Sequence, residues 1–341
     1  MIGRRAFVRS VGAAALAPSL VRCADPPPEE PQGPRWLPEA AIRPDRSAVA
    51  VLAADAYDGR LTDLVRRGLE LFSVPVSGRR VVLKPNLVEF DPGGVINTHP
   101  VLIAATIEAL RELGAREVIV AEGPGHRRDN DYLLSASGLA DVLRDTGARY
   151  VDLNVDAVRP VALRSHYTEL ERLYLPATVL DAELLISMPK MKTHHWAGVT
   201  LSMKNMFGII PSAIYGWPKN VLHWQGIDNS ILDINAALTV PRFNIVDGIV
   251  GMEGNGPIQG TARPTGVLVF GADPVAVDAL SASIMGLEPT RVTYLAEAGE
   301  FMGNAELERV EQRGEDPERL RQEYRLLDPF RELRAGLTSA G

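Results

Sequence analysis

Short apolar runs alternate along the chain with longer amphipathic stretches. Residues 47–52 read as a buried strand. Residues 61–71 place Leu61, Leu64, Val65, Gly68 and Leu69 on one helical face. A β-branched run at 81–83 ends at Lys84-Pro85-Asn86. Residues 100–113 predict a helix, capped in the region of Thr98 and stopped by Gly114. The next strand, 118–121, ends at Glu122-Gly123, and a helix over 132–146 stops at Gly147 before a strand at 150–153. This order predicts an α/β fold: a mixed, mostly parallel sheet with helices on both faces.

The pattern is weaker over 155–183, which reads as an edge hairpin or a small insertion. Residues 184–188 are apolar enough for a buried strand and lead into Pro189-Lys190-Met191-Lys192-Thr193-His194-His195. A helix is expected over 199–210, then a Pro/Gly/Trp-rich loop over 211–226 and a helix over 231–238. Strands follow at 243–246 and 266–270, and a helix over 273–285 has Asp273 as its N-cap and Pro274 near N1. Asp278 reads as a carboxylate on that helix face. A polar helix is expected over 317–324.

The ends of the chain follow different rules. Residues 1–24 carry Arg4-Arg5-Ala6-Phe7-Val8-Arg9 and then a moderate apolar run, the pattern of a twin-arginine signal peptide. The export machinery is then a partner, and a periplasmic or other extracytoplasmic location follows. Cys23 suggests a lipid anchor, but Arg22 stands where a small residue is normally needed. Residues 25–46, with Pro26-Pro27-Pro28, read as a stiff linker, 47–330 as a single α/β domain, and 331–341 as a tail. No run of about 18 apolar residues marks a transmembrane helix. The net charge of −7, with no basic stripe interleaved with aromatics, argues against nucleic acid as a partner.

The basic residues change the picture most. The chain has 31 Arg but only five Lys: Lys84, Lys190, Lys192, Lys204 and Lys219. Four of these fall in a segment, between Arg172 and Arg242, that contains no arginine. A compact ammonium is wanted there where a guanidinium would not serve. In an α/β sheet, parallel strands deliver their carboxyl ends to one edge. Lys84 and Asn86, Glu122, Lys190, Lys192 and His194, and Asp247 would therefore converge on one cleft.

Lysines at this density imply an anionic small molecule, a carboxylate or a phosphate, and crowding lets one of them act as a base or imine-forming nucleophile. His194, Lys192 and Lys190 are the candidate catalytic residues. Lys84, Asn86, Lys204 and Asn205 are candidate ligand contacts. On a strand, His194 and His195 point to opposite sides, so His194 alone is expected in the cleft. Residues 248–260 hold five glycines, so Gly254 and Gly256 could bring backbone N–H groups to an anion, although a plain lid is an equal reading. Glu122, Asp247 and Glu253 are the candidate ligands of a divalent metal.

Lys84-Pro85-Asn86, the segment 189–194, Lys204-Asn205-Met206-Phe207-Gly208, and Asp247-Gly248 with Glu253-Gly254-Asn255-Gly256-Pro257 together resemble the family known as domain of unknown function 362, over about residues 81–285. The resemblance implies the α/β fold and a site at these motifs, and names no reaction. Many members carry a ferredoxin-like module. With Cys23 as its only cysteine, this sequence offers no ligand set for a Cys-ligated iron–sulfur cluster.

Three functional classes remain open. The chain could be an enzyme acting on an anionic small molecule or a non-catalytic carrier of an anionic ligand or cofactor. It could also be a scaffold for a membrane redox complex, contacting it through Tyr215, Trp217 and Trp224.

Overall fold

Strands buried on both faces must be apolar at every position, and the centre of the sheet shows this directly. In the computed structural model, which describes residues 33–125 and 129–337, the strands are β1 (Ser47–Ala53), β2 (Arg80–Pro85), β3 (Glu117–Glu122), β4 (Arg149–Asp152), β5 (Val158–Ala162) and β6 (Arg172–Pro176). They continue with β7 (Leu184–Met188), β8 (Lys190–His194), β9 (Gly198–Thr200), β10 (Arg242–Glu253), β11 (Thr261–Gly271) and β12 (Val310–Gly314). The main sheet runs β12-β1-β11-β10-β7-β2-β3-β4, with β8 paired to β10 and β9 to β8. From β10 to β4 every pairing is parallel, whereas β11 runs antiparallel to both neighbours.

Because side chains alternate along a strand, each central strand feeds two cores. Val81 and Leu83 pack with Leu61, Val65, Leu102 and Ile107 on one face. Val82, Leu185 and Val246 pack with Ile231, Leu280 and Leu295 on the other. Helices Leu61–Glu70 and Pro100–Glu112 cover the first face, and Ile227–Ala237, Pro274–Ile284 and Thr293–Phe301 cover the second. The mixed, mostly parallel sheet with helices on both faces is thus the fold of this chain.

Several expectations change in detail. Helix 132–146 is two helices, Asn130–Ala136 and Leu139–Thr146, separated at Gly138 with φ +78°. Helix 100–112 is capped by His99, whose Nδ1 accepts from Val101 N. Thr98 instead ties the preceding loop to β7 by donating to the Met188 carbonyl. The helix expected over 199–210 is mostly absent. Gly198, at φ +74°, reverses the chain, and β9 pairs antiparallel with the free edge of β8. Ladder bonds there outweigh helix propensity, leaving short turns at Ser202–Asn205 and Met206–Ile209. The polar helix near 317 covers Pro317–Leu320 alone.

β10 extends to Glu253, so residues 248–253 are strand rather than glycine loop. β5 and β6 form a separate two-stranded hairpin within 155–183. All these elements belong to one compact unit, Arg35–Gly341. That unit includes part of the expected linker, since Trp36 stacks on Phe301 at 4.7 Å. The twin-arginine motif, Cys23 and the final four residues lie outside the described residues. Among the described residues, no helix is long and apolar enough to cross a membrane.

Candidate functional site

A cavity of about 640 Å³ opens beyond the carboxyl ends of β2, β3 and β8. Of the residues expected at strand ends, Asn86, Glu122, Lys192 and His194 line it and Lys84 does not; Lys204 and Asn205, from the segment after β9, line it as well. Lys219, His195, His223, Trp196, Phe207 and Trp224 complete its wall. A shallower groove of about 540 Å³ adjoins it across His195, Trp196, Pro257 and Ile258.

The five lysines divide into two kinds. Lys84 Nζ lies 2.6 Å from Glu122 Oε2 and also donates to the Pro85 carbonyl and Asn205 Oδ1. Lys190 Nζ lies 2.7 Å from Asp247 Oδ2 and donates to the Tyr57 hydroxyl at 2.9 Å. Both ammoniums are neutralised by a buried carboxylate. Burial still pulls each lysine's pKa down, against the opposing pull of its partner.

Lys192, Lys204 and Lys219 have no carboxylate within ion-pair distance among the described residues. Lys192 Nζ donates to the Ile96 carbonyl at 2.8 Å, and Lys219 Nζ to the carbonyls of Gly123 at 2.6 Å and Phe207 at 3.0 Å. Lys204 Nζ rests over the Phe207 ring, 4.0 Å from its centroid. Burial, reinforced by the neighbouring cations, moves Lys204 and Lys219 down to about 7 and Lys192 well below its ordinary value. Glu122 opposes the shift at all three without pairing with any of them. Lys219 occupies the cavity wall at a conformational cost: its φ of +66° is left-handed, which costs a non-glycine residue roughly 1–2 kcal/mol.

His194 is a neutral donor. His194 Nδ1 accepts from Trp196 N at 3.0 Å and Ala197 N at 3.2 Å, so the ring proton sits on Nε2. Burial, with Lys204 nearby, holds His194 well below the usual imidazole range. His195 also lines the cavity, contrary to the expectation of one histidine per side. It follows the end of β8, where strand alternation no longer applies, and its ring stacks 4.9 Å from that of His194.

Two further polar atoms of the wall lack partners. Asn86 Oδ1 and Thr200 Oγ1 are buried with no hydrogen bond among the described residues. Unsatisfied groups of this kind cost about 1–3 kcal/mol each.

Backbone design keeps this wall in place. Asp278 Oδ1 and Oδ2 accept from Ser202 N at 2.6 Å and Met203 N at 2.9 Å, fixing the turn that carries Lys204 and Asn205. Its carboxyl is pushed up to about 7 by burial. Gly208 packs directly on the Lys84–Glu122 pair. A Cβ there would collide with Glu122 Oε1 and lie 2.5 Å from Lys84 Nζ.

Other expected site residues lie elsewhere. Lys190 and Asp247 form a closed cluster with Tyr57, which stacks on His99 at 3.7 Å. Neither residue lines the cavity. Gly254 N donates to the Arg325 carbonyl and Gly256 N to the Gly254 carbonyl, so these N–H groups are not free for an anion. Glu253 accepts from Arg325 N at 3.0 Å. Glu122, Asp247 and Glu253 are therefore held by three separate partner sets. Among the described residues, no group of three or more His, Cys, Asp and Glu could hold a metal ion.

Sequence reading missed Lys219 as a site residue, although lysine scarcity marked it. It also missed His223, which carried no local signal.

Comparison with known proteins agrees with the motif pattern. The chain is 28% identical over 267 residues to the Thylakoid-associated protein sll1697 of Synechocystis, covering 73% of this chain and 78% of that one. Two solved structures each have a TM-score of 0.38 with it: a Thermotoga maritima structural-genomics protein (12% identity, 65% of this chain) and the lactate racemase apoprotein of Thermoanaerobacterium thermosaccharolyticum (15% identity, 67% of this chain). The chain spans just over half of those two, 57% and 55%. The model of the family described as Domain of unknown function (DUF362) matches residues 81–283, and the chain belongs to that family.

Proposed function

We propose that the cavity binds an anionic small molecule, a carboxylate or a phosphate, and that the protein is an enzyme acting on it by proton transfer. The observation that carries this reading is the set of three lysines, Lys192, Lys204 and Lys219, on one cavity wall without a carboxylate partner. Burial disfavours the charged form of all three lysines in the empty protein, and a bound anion favours it. His194 supplies a neutral imidazole with its proton on the cavity side, and a Lys204 amine near neutrality can take a proton.

A carrier of an anionic ligand or cofactor would use the same lysines. It is the second reading because a carrier needs neither the neutral His194 donor nor a Lys204 amine free of hydrogen-bond acceptors among the described residues. Lys192→Ala should abolish binding of anions such as benzoate or phenyl phosphate under either reading. His194→Ala should abolish turnover while sparing binding only for the enzyme. Full biological activity in both variants would overturn the site.

We also propose that the protein works outside the cytoplasm, on the strength of Arg4-Arg5 and the apolar run after them. A reporter fused behind residues 1–34 should be exported, and Arg4→Lys with Arg5→Lys should retain it inside.

A further inference from the structure

Lys204 is set apart from the other four lysines by what its nitrogen touches. Lys84 and Lys190 are ion-paired, and Lys192 and Lys219 are pinned by backbone carbonyls. Among the described residues, Lys204 Nζ meets no hydrogen-bond acceptor. It lies over the Phe207 ring at the cavity wall, so that once deprotonated its nitrogen is engaged by no hydrogen-bond acceptor among the described residues.

We propose that Lys204 forms an imine with a carbonyl-bearing anion. The ligand is then an aldehyde or ketone that also carries a carboxylate or phosphate. This inference rests on the anion-binding reading above and narrows it to a substrate class.

The neighbours suit each part of the step. Lys192 and Lys219 hold the anionic group, and burial pulls the Lys204 ammonium towards its neutral form. Lys84 acts in the same sense, while Glu122 and Asp228 oppose it. His194 and His223, which feel the Lys204 charge, stay neutral near pH 7 because burial lowers both. The Lys204 lone pair forms the C–N bond as the carbonyl π bond breaks. The oxygen takes a proton from the amine to give a carbinolamine. The second N–H proton leaves with that oxygen as water, giving the imine. His194 Nε2–H can hydrogen-bond the carbonyl oxygen without giving up its proton.

The test uses pyridoxal 5′-phosphate as probe and pyridoxine 5′-phosphate as its isostere without the carbonyl. The full chain is treated with the aldehyde, reduced with borohydride, digested and mapped by mass spectrometry. Labelling should fall on Lys204 at least about tenfold faster than on the other lysines or the N-terminus. Its rate should level off above about pH 7 rather than climb towards the ordinary lysine range. Lys204→Arg should bind the isostere and take no label, and Lys204→Met gives a second chain without the amine. Isostere binding with no preferential label at Lys204 would overturn the imine and leave the anion site standing. Failure of either phosphate to bind, with random labelling, would overturn both.

Discussion

Asp278 accepts a 2.6 Å hydrogen bond from the Ser202 backbone, and through this contact a buried helix fixes the turn that presents Lys204 to the cavity. The carboxylate is a positioning group and does not line the cavity itself. Asp278→Ala leaves two buried N–H donors, Ser202 and Met203, without their acceptor. The expected loss is about 2–4 kcal/mol by chemical denaturation, at about 1–3 kcal/mol per orphaned donor with partial relaxation. Asp278→Asn, which retains one acceptor, should lose less.

The pKa shifts give the ligand-free protein a stability minimum near neutrality. Lys204 and Lys219 titrate near 7 folded and near 10.5 unfolded. Between those values the unfolded chain holds more protons, so stability rises with pH. Asp278 titrates near 7 folded and 3.8 unfolded, so across that window the folded chain holds more protons and stability falls with rising pH. Melting curves across pH should show the dip. Lys204→Met should flatten its alkaline side and Asp278→Asn its acid side.

Glu122→Ala strands the buried Lys84 ammonium. Breaking one side of a buried pair typically costs about 3–5 kcal/mol. The double variant Lys84→Met with Glu122→Leu should recover most of that loss, since it removes both charges. A double variant no more stable than Glu122→Ala would show that the pair does more than neutralise itself.

Gly208→Ala should destabilise the fold by about 1–3 kcal/mol, the usual range for overpacking, because the new methyl meets Glu122 and Lys84 rather than open space. Trp224→Ala should behave oppositely. Its side chain is 78% exposed, so stability should change by less than about 0.5 kcal/mol, while binding of an aromatic anion weakens.

Much of this site was legible before any coordinates. Apolar runs marked β2, β3 and β7; parallel pairing of β2 with β3 set Lys84 beside Glu122, and parallel pairing of β8 with β10 carried Lys192 to the same end of the sheet. Scarcity of lysine against arginine marked residues whose chemistry matters, Lys219 included. Three features were not legible because they depend on contacts distant in sequence. Lys190 and Lys192, both on β8, differ in role because Asp247 on β10 neutralises Lys190 alone, with the hydroxyl of Tyr57, near the N-terminal end of the domain, accepting a further hydrogen bond from it. The glycine pattern of 248–260 looked like a loop, yet pairing with β11 drew its first half into β10. Gly198 turned an expected helix into β9 by offering the chain a sheet edge.

The most direct test is calorimetric titration of benzoate and phenyl phosphate into the protein at about pH 8, in two buffers of different ionisation enthalpy. The account predicts binding with net proton uptake, because an anion raises the depressed pKa values of Lys204 and Lys219. The uptake should shrink in Lys204→Met and in Lys219→Met. Binding without proton uptake, or unchanged binding after loss of these lysines, would contradict the claim that uncompensated lysines make this cavity an anion site.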